Sequence, residues 1–347
     1  MNIPVIEGRY FADILDQPRA LEATWQGLRK SSVLSDVSQF LLDRQFKRVV
    51  LTGMGSSFFA LHPLMLETAE HGWSPTLIET SELIHHYPRL LQGSTLVIAV
   101  SQSGQSAETL RLLQQNSEGP TVIAVTNTAD SPLAKEADFA LLTNAGDEYS
   151  VSCKTYVSAL LALCVLSAAL CQKDVEQRFR DLENSANAAA SYLGDWRAHV
   201  EQFFSALQAA RHLFLVGRGS SLSAVGTGAL IIKESDHFHA EGMSSAAFRH
   251  GPFEMLSPET TVAVFAGDER VRDLNQRLAS DIRETGAQPL IIANDSAQAA
   301  CRIPDTGAFG RPIFEILPVQ MMSLALAAIG GREAGAFERA TKITVVE

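Results

Sequence analysis

Three groups of residues in this chain have types and spacings that could do chemistry. The first is the run Ser101-Gln102-Ser103-Gly104-Gln105-Ser106, which follows the apolar stretch Val97–Val100 and precedes a helical pattern opening at Ser106, Ala107 and Glu108. A turn at that point exposes backbone N–H groups at the positive end of a helix dipole. Gly104 lets a ligand approach the backbone closely, and the hydroxyls of Ser101, Ser103 and Ser106 add donors. Such a concavity suits an anion, above all a phosphate, although an ordinary Ser-rich loop with a helix cap uses the same residues. The second group is Glu234 in "IIKESDH" and His250 in "FRHGPFE". A carboxylate and an imidazole in one pocket can move protons between carbon and oxygen near neutral pH, whereas a lone His before Gly-Pro is often structural. The third group is His237, His239 and Glu241, whose alternation on a strand would turn all three one way and could hold a metal, with nothing nearby to complete a ligand set.

The elements that must position these groups repeat. "KRVVLTGMGSSFFAL" (Lys47 to Leu61) and "RHLFLVGRGSSLSAV" (Arg211 to Val225) are each an apolar strand, a Gly-x-Gly-Ser-Ser turn and a helix. Further strands are expected at Thr76–Ile78, Leu96–Val100 and Thr121–Val125 in the first copy, and at Thr261–Phe265 and Pro289–Ile292 in the second, with helical patterns between them. This alternation predicts an α/β fold of two tandem, doubly wound parallel sheets with flanking helices. Asp174–Ala210 reads as amphipathic helix joining the copies, and the first forty-odd residues as mostly helical. Where the first copy has "AVSQSGQS" the second has "AVFAGDER", and Asp268 and Glu269 would repel a phosphate there; one phosphate site, in the first copy, is the economical reading. A dinucleotide fingerprint is incomplete in both copies, because Phe58 and Leu222 stand where its third glycine belongs, although Glu79 and Glu241 follow at about the expected distance.

Composition narrows the class. A net charge of −11 on 347 residues argues against a nucleic-acid footprint and leaves an anionic ligand to local donors. Cys153, Cys164, Cys171 and Cys301 form no CxxC pair, so neither a zinc site nor a disulfide framework is suggested. The start of the chain lacks the basic and apolar regions of a signal peptide, and the apolar run Tyr156–Cys171 is shorter than the roughly 20 residues of a spanning helix. A cytoplasmic protein, not attached to a membrane, is expected.

The ordered set of motifs resembles the double SIS (sugar isomerase) domain family, in particular the isomerase half of glucosamine-6-phosphate synthase. "SQSGQSAETL" resembles the family's phosphate loop, and "LTNAGDEYSVSCKTY" its Thr-Asn-Ala-Gly segment. "GALIIKESDHFHAEGMSSAAFRHGP" and the terminal "ATKITVVE" resemble its catalytic stretches. The resemblance implies flavodoxin-like SIS domains at residues 46–173 and 211–330, preceded by a helical segment (1–45), separated by a helical linker (174–210) and followed by a tail (331–347). It implies that Ser56, Ser57, Ser101, Gln102, Ser103 and Ser106 hold a substrate phosphate. Glu234 would move a proton between C1 and C2 of an open sugar, and His250, contributed by the neighbouring subunit, would open the ring. Lys342 would approach the sugar carbonyl. It further implies a homodimer with a shared site and neither metal nor organic cofactor. Two departures stand out: no glutaminase domain with an N-terminal cysteine is expected ahead of Met1-Asn2-Ile3, and the synthase's lysine and glutamate before the catalytic carboxylate are Ile231 and Thr227 here. The expected reaction is therefore conversion of glucosamine 6-phosphate and water to fructose 6-phosphate and ammonia. A fructosamine-6-phosphate deglycase, another phosphosugar isomerase and a non-catalytic sugar-phosphate sensor are the alternatives.

Overall fold

The computed structural model describes all residues except 1–5, 43, 45, 116–118, 295–298, 340 and 344–347. Two five-stranded sheets are present, both wholly parallel. The first contains β1 (Arg48–Gly53), β2 (Pro75–Glu79), β3 (Thr95–Val100), β4 (Thr121–Thr126) and β5 (Phe139–Leu142), in the order β2-β1-β3-β4-β5. The second contains β6 (His212–Gly217), β7 (Ala240–Ser244), β8 (Thr260–Phe265), β9 (Gln288–Ala293) and β10 (Cys301–Arg302), in the order β10-β9-β8-β6-β7. Strand for strand, the two orders are the same doubly wound, flavodoxin-like arrangement. The chain leaves β1 toward one side and returns to β3 on the other, so a crevice opens between the carboxyl ends of these two strands, and likewise between β6 and β8. All six residues of β3 and all six of β8 are buried, as expected of central strands covered by helices on both faces.

The chain divides into two compact units that interleave in sequence: Met1–Asp16, Tyr149–Ser152 and Asn187–Glu338 form one with the second sheet, and Gln17–Glu148, Cys153–Ala186 and Arg339–Glu347 form the other with the first. In the first-sheet unit the apolar stretch 154–170 is a helix buried along nearly its whole length, with helices Gln17–Lys30, Val33–Leu42, His62–Glu70 and Val175–Leu182 around it. One charged cluster ties three of these helices together. The Arg178 guanidinium, 4% exposed, donates to Glu67 Oε1 at 2.7 Å and to Ser167 Oγ at 2.8 Å. Burial works to raise the Glu67 carboxyl, but Arg178 and Ser167 outweigh it and hold the group below its ordinary range.

In the second-sheet unit, helix Gly307–Gly330 lies against helices Trp196–Leu207 and Leu222–Asp236. Among the described residues it is the one helix long and apolar enough to cross a membrane by length and composition, and 83% of its apolar window is buried inside the protein. The four cysteines are unbridged, and burial pushes the thiols of Cys164, Cys171 and Cys301 up to about 11.

Three strands escape sequence inspection. β5 and β10 are edge strands of four and two residues, and β7 reads Ala-Glu-Gly-Met-Ser, whose polar and glycine positions conceal it. β7 also corrects the expected strand alternation of His237, His239 and Glu241. The strand begins only at Ala240, and His237 caps the preceding helix in the left-handed region with φ 52°. His237 Nδ1 lies 3.8 Å from Glu338, and His239 Nε2 lies 3.8 Å from Glu241.

Candidate functional site

The turn after β3 builds a cup from its own side chains. The Ser101 and Ser103 hydroxyls accept backbone N–H bonds from Gly104 (3.2 Å) and Gln105 (3.3 Å), and Ser106 Oγ accepts from Thr109 N–H (3.4 Å) in the first turn of helix Ala107–Gln115. The Ser101 and Ser103 hydroxyls that accept in this way still have an O–H to donate, whereas Ser106 Oγ also lies 2.9 Å from Thr109 Oγ1 in a bond that either hydroxyl can donate. The turn is pinned from below: Asn127 N–H donates to Gln102 C=O at 3.1 Å, and Leu133 N–H to Gly104 C=O at 3.1 Å. Gly104 has φ 63°, and any Cβ there would collide with the Ser131 side chain. Across the crevice, Gly53 ends β1, and a Cβ on it would stand 3.0 Å from both Val100 C=O and Phe58 N. That closeness brings Ser56 and Ser57, half-buried at the start of the next short helix, to the same end of the sheet as Ser101–Ser106.

The same crevice in the second copy is already filled. Arg311, from helix Gly307–Gly330, reaches between the two turns, donating from Nη1 to Gly267 C=O at 3.2 Å and from Nη2 to Ser220 Oγ at 3.0 Å. Its guanidinium lies 3.5 Å from Asp268 and 3.6 Å from Glu315, and Ser221 Oγ donates to Glu315 at 2.8 Å. Burial pushes the Glu315 carboxyl up to about 7 against the lowering influence of Arg311 and Ser221. Asp268, expected to repel a phosphate at this turn, instead pairs with Arg270 and Arg311, which overcome its burial and hold it below its usual range. The two glycine-serine turns are thus alike in backbone and opposite in content.

Glu234 and His250 belong to the second-sheet unit. Glu234 is half-buried in the last turn of helix Leu222–Asp236, and on the same helix Ile231 and Thr227, standing where the resembled synthase has charges, are fully buried. β7 ends at Ser244, whose hydroxyl accepts from Ala247 N–H at 3.1 Å and caps helix Ser245–Arg249. His250 follows at that helix's end, exposed, with buried Phe248 anchored on Phe214 (ring centroids 5.2 Å apart) two residues before it.

Lys342 belongs to the first-sheet unit, with the Ser101–Ser106 turn. Its Nζ donates to Glu148 Oε2 at 2.5 Å. Glu148, overlooked in the sequence reading although it lies inside the "LTNAGDEYSVSCKTY" segment, has a wholly buried carboxylate that also receives Cys153 N–H (2.9 Å), Thr155 N–H (3.1 Å) and Thr155 Oγ1 (2.6 Å). The signal that could have found it was an acidic residue just ahead of a long apolar helix, where free N–H groups await an acceptor. Leading to it, Asn127 Oδ1 accepts from Ala145 N–H and Thr143 Oγ1, and Asn127 Nδ2 donates to Gly146 C=O, which fixes the Thr143–Gly146 turn.

The two sheets of identical strand order define a tandem flavodoxin-like protein. The SIS domain model matches residues 44–169 and 206–330, and the chain belongs to that family. It is 28% identical to the glutamine–fructose-6-phosphate aminotransferase (isomerizing) of Streptomyces coelicolor over 96% of its own length and 58% of that relative, so it spans little more than half of that protein. Among solved structures, a Silicibacter pomeroyi protein assigned as a phosphosugar isomerase superposes with TM-score 0.78 at 26% identity, covering 94% of this chain and 99% of that one. A glucosamine-6-phosphate deaminase from Thermotoga maritima superposes with TM-score 0.77 at 19% identity, covering 98% and 100%, a likeness of fold.

Two outcomes are expected. Ser103→Asp places a carboxylate in the cup and should weaken binding of a phosphorylated sugar at least tenfold by calorimetry while circular dichroism stays unchanged; undiminished affinity would place the anion elsewhere. Glu315 has a folded pKa raised above its unfolded one, so its contribution to stability is complete below about pH 4.5 and lost as pH rises through about 7. Urea midpoints of the Glu315→Gln chain should therefore lose the part of the decline between those pH values that the wild type shows; parallel curves would contradict the assignment.

Proposed function

We propose that the chain is a phosphosugar aldose–ketose isomerase whose reaction is the deamination of glucosamine 6-phosphate. The observation that carries the reading is the contrast between the copies: the Ser101–Ser106 turn is ringed by its own serine hydroxyls, while Arg311 occupies the counterpart. In this reading the first copy supplies the phosphate subsite, and the carboxylate of Glu234 and the imidazole of His250, the latter from the neighbouring subunit, are assigned the proton transfers on the sugar. His250 opens the pyranose ring by moving a proton between the C1 hydroxyl and the ring oxygen. Glu234 removes the C2 proton from the open aldehyde and delivers a proton to C1 while a second proton passes from the amine nitrogen to O1, which converts the 2-amino aldose to the 2-imine of the ketose. Water adds to that imine, ammonia leaves, and fructose 6-phosphate remains. Each of these proton transfers contributes about 10²–10⁴-fold.

Support for loss of nitrogen over its transfer comes from Ile231 and Thr227, which put buried uncharged groups where the resembled synthase has a lysine and a glutamate. The deaminase named among the structural neighbours shares the whole fold. A homodimer with a shared site fits the exposure of His250 at the end of its short helix, where a second copy can reach it.

Glu234→Gln and His250→Ala should each lower kcat by 10² or more while fructose 6-phosphate still binds. Mixed dimers of the two variants should regain part of the activity; isolated heterodimers that stay dead would mean that each site is built within one subunit. In the decisive assay, the purified chain receives glucosamine 6-phosphate, glucose 6-phosphate or a fructosamine 6-phosphate without added metal or glutamine. Ammonia and fructose 6-phosphate from the first are expected. Free amino acid from the third alone would identify a deglycase, and binding without turnover of any would identify a sensor.

A further inference from the structure

At the amino ends of β1 and β2 the protein has a cavity of about 450 Å³. It lies where helices Val33–Leu42, His62–Glu70 and Lys154–Leu170 end, and all of its lining belongs to the unit built on the first sheet. Its size falls within the roughly 300–1,000 Å³ of small-molecule sites. Buried Leu41, Val49 and Leu170 make part of the lining apolar, and the half-buried rings of Phe46 and Trp73 add aromatic surface. The charged part is basic. Arg44, Lys47 and Arg48 line the cavity, and among the described lining residues there is no carboxylate, on a chain whose net charge is −11. Arg48 is already engaged, donating to Thr95 Oγ1 at 3.1 Å and to the Gln92 carbonyl. Lys47 and Arg44 are exposed, and among the described residues neither side chain makes an ion pair or a hydrogen bond. The Arg44 guanidinium lies over the Phe40 ring, 4.3 Å from its centroid, which leaves the N–H groups at its edge to donate. Carbonyls at two of the helix ends are taken by backbone: Thr68 and Ala69 accept the N–H groups of Trp73 and Gly72, and Ala168 and Ala169 those of Lys173 and Gln172.

We propose that this cavity binds a nucleoside monophosphate, with the base against Phe46 and Trp73 and the phosphate on Arg44 and Lys47. A bare anion would leave the apolar and aromatic lining unused, and an uncharged ring would leave the two cations unused; a base joined through a sugar to a phosphate dianion uses both. The Trp73 indole N–H and the Ser74 hydroxyl, neither hydrogen-bonded among the described residues, can serve the base or the ribose. The site is separate from the Ser101–Ser106 turn, which stands at the carboxyl ends of the strands. β1 runs from Arg48 at the cavity to Gly53 at the crevice, about 17 Å of extended chain. The proposal is therefore independent of the proposed function.

The test is calorimetric titration of the purified chain with AMP, UMP, adenosine, uridine and inorganic phosphate. At least one of the two nucleotides should bind, one per chain, with a Kd below about 1 mM, and its nucleoside and inorganic phosphate should each bind about tenfold more weakly or worse. Lys47→Glu and Arg44→Glu should each weaken the nucleotide about tenfold or more by setting a carboxylate against the phosphate, and Trp73→Leu should weaken it by removing the indole. The Ser103→Asp chain should bind the nucleotide as the wild type does. Neither nucleotide binding overturns the proposal, as does inorganic phosphate binding as tightly as the nucleotide, which would mark an unspecific anion contact. Undiminished affinity in Lys47→Glu also overturns it, and so does loss of affinity in Ser103→Asp, which would put the nucleotide at the serine turn. Should Trp73→Leu not fold, the two exposed charge reversals decide the matter.

Discussion

Much of this molecule follows from how closely two parallel strands can bring their ends together. Where β1 and β3 send their chains to opposite sides, the following turns must face each other across a narrow gap, and Gly53 is the residue that permits it: a side chain there would press on Val100 and Phe58. The gap collects backbone N–H groups and hydroxyls that no strand or helix interior uses. A doubly wound sheet therefore makes a binding crevice before any particular ligand is specified. Which ligand enters depends on a few side chains at the rim, and the two copies in this chain have answered that differently.

In the first copy the rim is made of serines whose oxygens accept N–H bonds inside the turn; Ser101 and Ser103 keep an O–H to donate, and Ser106 shares a hydrogen bond with Thr109. In the second the same place receives Arg311 and its carboxylate neighbours. A guanidinium donating to Gly267 C=O and Ser220 Oγ satisfies acceptors that would otherwise wait for water or a ligand, and it pairs with Asp268. The chemistry assigned to the second copy lies beyond this crevice, at the far end of helix Leu222–Asp236 and after the strand β7 that follows it.

The architecture was legible in the sequence because its signals are local and repeated. Apolar runs of three to six residues announce buried parallel strands, and the recurrence of a strand closed by Gly-x-Gly-Ser-Ser announces two domains. The Ser101–Ser106 cup was legible for the same reason: donors, glycine and helix start are contiguous. What stayed hidden was set by distance. Asp268 was read as a repelling charge because Arg311, 43 positions later, cannot be placed beside it by pattern. Glu148 was passed over because its partner is 194 residues away. β7 was missed because it is an edge strand in which only Ala240 is buried, so its own residues need not be apolar.

The filled crevice has a thermodynamic consequence. A ligand that binds only the folded state adds to stability in proportion to the logarithm of its concentration over its dissociation constant. In the proposed function, an anion seated at Ser101–Ser106 adds that term to the unit built on the first sheet. The unit built on the second sheet carries its own cation covalently, at a fixed effective concentration that no metabolite can raise or lower. Under that reading the chain joins a half whose stability responds to supply to a half whose stability is set by sequence.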